Sequence, residues 1–280
     1  YGQHADLEND QGAIVKCQIR RAVDSLVVGD KVIWRPYNQT ETEFAGVIEA
    51  VETRSSEFLR PDFYDGLKPV AANIDQIIIV SALLPDLTPS IIDRYLVAVE
   101  QLDIEPVVLI NKMDLLNDNN RKLVENTIAL YQDIGYRVET VSAKDEDGIE
   151  TVTNLLKDKT SVFVGQSGVG KSSLINVLLP GVDLKVGALS EQTRKGRHTT
   201  TTARLFHFPD GGDLIDSPGI REFGLWHIEP SDLIDGFREL REHTGLCRFR
   251  DCKHEQEPGC ALKEAIEAGQ ISEARWQSFR

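Results

Sequence analysis

The chain has 280 residues, a formal net charge of −14 and 41% hydrophobic residues, enough for two domains and a small third unit with ordinary cores. Its acidity excludes a general polyanion binder, because a negative surface repels phosphates and any nucleic-acid contact has to be local. The longest apolar stretch, IIIVSALL, is interrupted by Ser81 and stops at Pro85, well short of the ~18 residues a membrane helix needs, so no membrane span is expected.

The sequence begins at Tyr1 with neither a methionine nor a signal-like segment, and native terminal residues are expected to be missing. Residues 1–66 alternate short runs such as AIVKCQIRR, DKVIWRP and FAGVIEAVETR with turn residues including Gly29 and Gly46. Several short strands at this spacing predict a small barrel; an OB-fold is the natural candidate, and an SH3-like barrel has the same pattern.

From 67 to 224 strands alternate with helices: IDQIIIVSAL, PSIIDRYLVAVEQL, EPVVLI, RKLVENTIALYQDIG, YRVETVS, IETVTNLLKD and TSVFVG. Such alternation predicts a parallel sheet covered by helices. Residues 225–280 read as mainly helical and charged. The fold class is therefore multidomain α/β.

Within the middle segment, GQSGVGKS fits G-x-x-x-x-G-K-[ST] between the strand SVFV and the helix SSLINVLL. Gly165, Gln166, Ser167, Gly168, Val169 and Gly170 are expected to curl backbone N–H groups around phosphate oxygens. Lys171 would reach the β- and γ-phosphates, Ser172 would ligate Mg²⁺, and Ser173 continues the helix start. NKMD (Asn111, Lys112, Met113, Asp114) ends the apolar strand VVLI, where parallel α/β sheets bind ligands. Asp114 can accept from guanine N1 and N2, a donor pair adenine lacks; Asn111 would tie the two loops together, and the Lys112 stem would cover the base. Ser142, Ala143 and Lys144 end a further strand and would offer a backbone N–H to guanine O6. The three motifs together predict GTP rather than ATP, which disfavours a P-loop kinase or ATPase.

DLIDSPG places Asp216 at a strand end, to hold Mg²⁺ through water, and the Gly219 N–H near the γ-phosphate. GRHTTTTARL occupies the first-switch position, in a stretch free of acidic residues from Gln192 to Pro209 that carries Arg194, Lys195, Arg197 and Arg204. One threonine should complete the Mg²⁺ shell, Thr200 first and Thr201 next. Where many GTPases place a water-orienting glutamine the chain has Ile220, so His198 is the candidate to orient the attacking water. His4, His207, His227 and His243 read as surface or packing residues.

The base reader precedes the phosphate loop, an ordinary GTPase order cut and rejoined. Such a circular permutation is tolerated when the old termini lie close together. It makes the second switch run directly into the C-terminal segment.

Of four cysteines, three lie in CRFRDCKHEQEPGC, spaced Cys247-x4-Cys252-x-His254-x5-Cys260. Three thiolates and one imidazole predict one closed structural zinc site in a reducing cytoplasm rather than disulfides. Cys17 reads as core. Arg248, Arg250 and Lys253 would give the knuckle an RNA-facing tip.

The motif order, REFGLWHIEP (221–230) and the knuckle together resemble the RsgA/YjeQ family of circularly permuted GTPases over nearly the whole chain. The resemblance implies an N-terminal OB-fold barrel, a permuted P-loop GTPase domain and a C-terminal zinc domain. It also implies small (30S) ribosomal subunit-stimulated GTP hydrolysis by a monomeric late maturation or checkpoint factor that contacts rRNA and leaves after hydrolysis, with a histidine matching His198 in catalysis. The basic N-terminal extension common in relatives is absent from this sequence, which stops at RWQSFR, so weaker RNA affinity is expected. Two alternatives stand beside this: a GTP-gated RNA-binding adaptor with negligible turnover, and a different permuted ribosome-assembly GTPase.

Overall fold

The computed structural model describes residues 4–38, 43–62, 66–180, 203–217, 220 and 232–280, with backbone alone at 61 and 62. The candidates His198, Thr200, Thr201 and Gly219, the basic residues Arg194, Lys195 and Arg197, and the stretch 221–230 lie outside the described residues.

Runs of β-branched and aromatic residues build the N-terminal strands β2 (Ile14–Ile19), β3 (Val32–Pro36) and β4 (Gly46–Val51), and β1 (His4–Glu8) pairs antiparallel with β2. They form a mixed sheet in the order β1-β2-β4-β3, with β2 and β4 parallel. A register shift between Ile33 and Trp34 bends β3. Cys17 and Ile48 are buried on this sheet, so Cys17 is core, as the strand-like stretch around it implies.

A hairpin of β5 (Glu57–Asp62) and β6 (Gly66–Ala72) follows, crossing position 66. Its Phe58 and Ala71 enter the core of the α/β region that follows, together with Ile215. The Val27–Asp30 turn seats the N-terminal sheet there: a Cβ on Gly29 (φ +88°) would lie 2.2 Å from the Ala72 carbonyl and 2.9 Å from Ile215 Cδ1. Only glycine permits that approach. Arg54 clamps the turn with a two-point contact to Asp30, at 2.7 and 3.0 Å.

The central sheet has six strands in the order β11-β12-β10-β7-β8-β9. In chain order these are β7 (Gln76–Ala82), β8 (Glu105–Asn111), β9 (Arg137–Thr140), β10 (Thr160–Val164), β11 (Arg204–His207) and β12 (Asp213–Asp216). All pairs are parallel except β11–β12. Helices α1 (Pro89–Glu100) and α2 (Asp118–Asp133) cover one face, α3 (Glu146–Leu156) and α4 (Lys171–Leu178) the other. Successive side chains of β7 alternate between the layers: Ile77 and Ile79 pack with α1 and α2, Ile78 and Val80 with α3 and α4. Both faces are covered, which is why that strand reads as an unbroken apolar run. Leu84 and Pro85, after β7, are joined by a cis peptide.

Beyond residue 232 the chain forms short helices, α5 (Arg238–Arg241), α6 (Ala261–Glu267) and α7 (Glu273–Phe279), between long loops, less helix than its composition predicts. Its core joins Ile234, Phe237, Leu240, Leu262 and Trp276 to Val97 of α1. Gly236 makes the contact possible, since a Cβ there would fall 2.5 Å from Val97 Cγ1.

Candidate functional site: a nucleotide cleft and a cysteine knuckle

The C-terminal ends of β7, β8 and β10 converge on one cleft. Asn111, buried at the end of β8, donates from Nδ2 to the Val169 carbonyl at 2.9 Å, and its Oδ1 accepts the Lys112 N–H at 2.7 Å. NKMD and the phosphate loop are thus joined directly. Both flanking glycines are required by close approach: a Cβ on Gly165 (φ +139°) would lie 2.2 Å from the Val80 carbonyl, and one on Gly170 (φ +98°) 2.4 Å from Asn111 Nδ2. Between them Gln166, Ser167 and Gly168 are exposed while Val169 is buried.

Lys112 stands in the left-handed region (φ 62°) and sends its ammonium to the carbonyls of Leu84 and Gly168, at 2.5 and 2.7 Å. The loop after β7 is therefore a wall of the cleft. No motif marks it in the sequence; its position after a central parallel strand is the only signal.

Asp114 is laced to the neighbouring strand end. Its Oδ1 accepts from Ser142 Oγ at 2.9 Å and its Oδ2 from Lys144 Nζ at 2.7 Å, while the Met113 N–H reaches the Val141 carbonyl at 3.1 Å. The Lys144 ammonium, then the Ser142 hydroxyl, hold the Asp114 carboxyl below the usual carboxylate range. An ionised, outward-facing carboxylate is suited to accept two N–H groups from one edge of a base. Ala143 packs against the α3–α4 core below it.

At the phosphate end Lys171 Nζ folds onto the Gly165 and Gln166 carbonyls, at 2.6 and 2.8 Å. Ser172 and Ser173 follow in the first turn of α4, and Asp216 ends β12 beside β10. Ile220 is buried in the α1–α2 core with Ile215, so its side chain packs rather than facing solvent.

His207 is more than a surface residue. Its Nε2 meets Glu8 of β1 at 2.5 Å and its Nδ1 meets Asp213 at 2.6 Å, bridging the edge of the N-terminal sheet to the edge of the central sheet. Its hydrogen bond to Glu8, with that to Asp213, outweighs partial burial and raises its pKa.

Cys247, Cys252, His254 and Cys260 converge, with their donor atoms within 4.8 Å of one another. His254 Nδ1 lies 3.5 Å from both Cys247 Sγ and Cys260 Sγ. Two ligands of a tetrahedral zinc, one nitrogen and one sulfur, stand about 3.6 Å apart, so the donors fit such an ion. Glu257 organises the loop: its own backbone N–H and those of Lys253, Glu255 and Gln256 lower its carboxyl to about 2. Leu246 and Phe249 are exposed on the knuckle, with the Arg248 guanidinium 5.6 Å from the Phe249 ring centre.

Residues 51–226 match the model of the RsgA GTPase family. The chain belongs to the RsgA GTPase family. RsgA relatives named small ribosomal subunit biogenesis GTPase include one from Haemophilus influenzae (strain PittGG), 55% identical over all of this chain and 81% of its own length. Another, from Proteus mirabilis (strain HI4320), is 52% identical over all of this chain and 80% of its own. The crystal structure of YjeQ from Thermotoga maritima matches with a TM-score of 0.81 at 34% identity, covering 100% of this chain and 92% of that one. YloQ, described as a circularly permuted GTPase, matches at 0.74 and 30% identity, covering 99% and 89%. The reversed motif order is thus a property of the RsgA fold, and the chain is a circularly permuted GTPase.

Proposed function

We propose that this chain is a Mg²⁺-dependent GTP hydrolase, converting GTP and water to GDP and phosphate, that acts in the cytoplasm as a monomeric late maturation or checkpoint factor for the small ribosomal subunit. The hydrogen bond from Asn111 to Val169 carries most weight, because it builds base reader and phosphate loop into one cleft. The relatives' name supports the partner.

Asp114 accepts guanine N1–H and N2–H, the Lys112 stem covers the base, and the Ser142–Lys144 backbone meets O6. Backbone N–H groups of Gly165–Gly170 and the Lys171 ammonium hold the β- and γ-phosphates, with the Gly219 N–H on the γ-phosphate. Ser172, Thr200 (or Thr201) and, through water, Asp216 would hold Mg²⁺, which when bound neutralises charge on the phosphate oxygens. His198 orients the water that attacks the γ-phosphorus. Ile220, packed in the core, has no polar atom for that task.

The knuckle holds one structural zinc through Cys247, Cys252, His254 and Cys260. Residues 1–66 serve as the OB-fold domain, 67–224 as the GTPase domain and 225–280 as the zinc domain. The GTP form docks on rRNA through the barrel and the Arg248–Phe249–Arg250 tip, and hydrolysis releases it. The buried Ile220 favours one rival, a GTP-gated RNA-binding adaptor with negligible turnover.

Co-sedimentation with small subunits tests the switch. Strong binding with a non-hydrolysable GTP analogue and weak binding with GDP is expected; equal binding in both states would remove it.

A further inference from the structure

Four consecutive backbone N–H groups in the knuckle, Lys253 to Gln256, point at local acceptors instead of at helix or strand partners. Glu257 Oε1 accepts from Lys253 at 3.0 Å, and its Oε2 accepts from Glu255 at 2.9 Å and Gln256 at 3.0 Å. The fourth, from His254, goes to the Cys252 sulfur. His254 itself stands in the left-handed region at φ 62°, a conformation that a residue with a Cβ holds only when its surroundings enforce it.

We infer that Glu257 is a positioning residue for the metal: its carboxylate fastens the turn that presents His254 Nδ1 to the thiolates. The inference rests on the knuckle being a metal site. One carboxylate fixes the turn on both sides of His254, and that turn sets the 3.5 Å approach of Nδ1 to Cys247 and Cys260. Without it, three N–H groups turn to water and the loop gains conformations in which the imidazole faces away. Metal binding must then order the loop as well as fill the site, so affinity falls. Groups that orient metal ligands from outside the coordination shell typically alter affinity by about 10- to 100-fold. Both its oxygens are engaged by N–H donors, so it holds the turn rather than ligating the cation. Glu255, exposed two residues away, has the same charge and uses its backbone, not its side chain, in the turn.

Cobalt(II) titration of the full chain, stripped of metal, tests this through thiolate charge-transfer and ligand-field absorption, with zinc competition for affinity. Wild type should bind one equivalent with tetrahedral bands; failure to do so would refute the metal site itself. Given that binding, Glu257→Ala should weaken it about 10- to 100-fold and alter the ligand-field bands as the imidazole is lost. Glu257→Gln, which keeps one oxygen for two of the three N–H groups, should fall between. Glu255→Gln should match wild type, and GTP affinity should be the same in all four proteins. Wild-type cobalt affinity in Glu257→Ala, or in Glu257→Gln should the alanine variant not fold, would overturn the role. An equal loss in Glu255→Gln would replace it with simple charge attraction.

Discussion

Arg275 Nη1 lies 2.6 Å from Asp93 Oδ1, and the two side chains are 0% and 3% exposed. The pair joins α7 of the cysteine-bearing unit to α1 of the GTPase core. Glu239 takes the other edge of the guanidinium at 2.6 and 3.1 Å, and the Tyr131 hydroxyl donates to Asp93 at 2.7 Å. Arg238 adds an ion pair with Glu100 at 2.6 Å. Helix α1 follows the loop whose Leu84 carbonyl receives Lys112 in the nucleotide cleft. A nucleotide-driven movement of the C-terminal unit therefore has a second route, through α1, beside the direct chain connection from the second switch expected from the sequence.

Arg275→Met leaves Asp93 and Glu239 buried without a counter-charge. A loss of about 3–5 kcal/mol is expected in denaturant unfolding. Replacing all three charges by apolar residues of similar volume should recover much of it, because the desolvation cost disappears with the charges.

The His207 bridge gives stability a pH dependence of definite sign. The folded pKa is raised above the unfolded value of about 6.5, so the contribution is complete below pH ~6.5 and is lost as pH rises through the folded pKa. Wild type should exceed His207→Gln in stability most at pH 6, and the gap should close at higher pH. A gap that widens with pH would contradict the bridge.

Asp114→Asn exchanges two acceptors for one acceptor and one donor. GTP affinity should fall about 100-fold, the loss of two charge-assisted hydrogen bonds in part replaced. Xanthosine triphosphate, which has a carbonyl at position 2, should bind better to the variant than to wild type. Competition binding measures both.

Removal of the proposed knuckle metal by a zinc-selective chelator should expose backbone N–H groups of 247–260 to hydrogen exchange while GTP binding persists. The knuckle's core touches α1 through Val97, but the cleft's own ties run through Asn111, Lys112 and Asp114.

Local spacing made the cleft and the knuckle legible in the sequence. The phosphate loop, NKMD, SAK and the cysteines each announce themselves within a few residues, and the structure brings the first three together. Contacts between distant segments left no such trace. Glu8 and His207 are 199 positions apart, Asp93 and Arg275 182, and neither pair follows from periodicity. The β5–β6 hairpin was hidden by its prolines and its bulge, and β11 by lying directly after the threonine run. The loop after β7 escaped because it contributes carbonyls, which carry no residue signature.

GTP turnover of the chain alone and with purified small ribosomal subunits, with large subunits and ATP as controls, tests the central claim most directly. Strong stimulation by small subunits only, abolished in His198→Ala, is the predicted result. Unchanged turnover with small subunits despite intact GTP binding would contradict it and leave the passive adaptor.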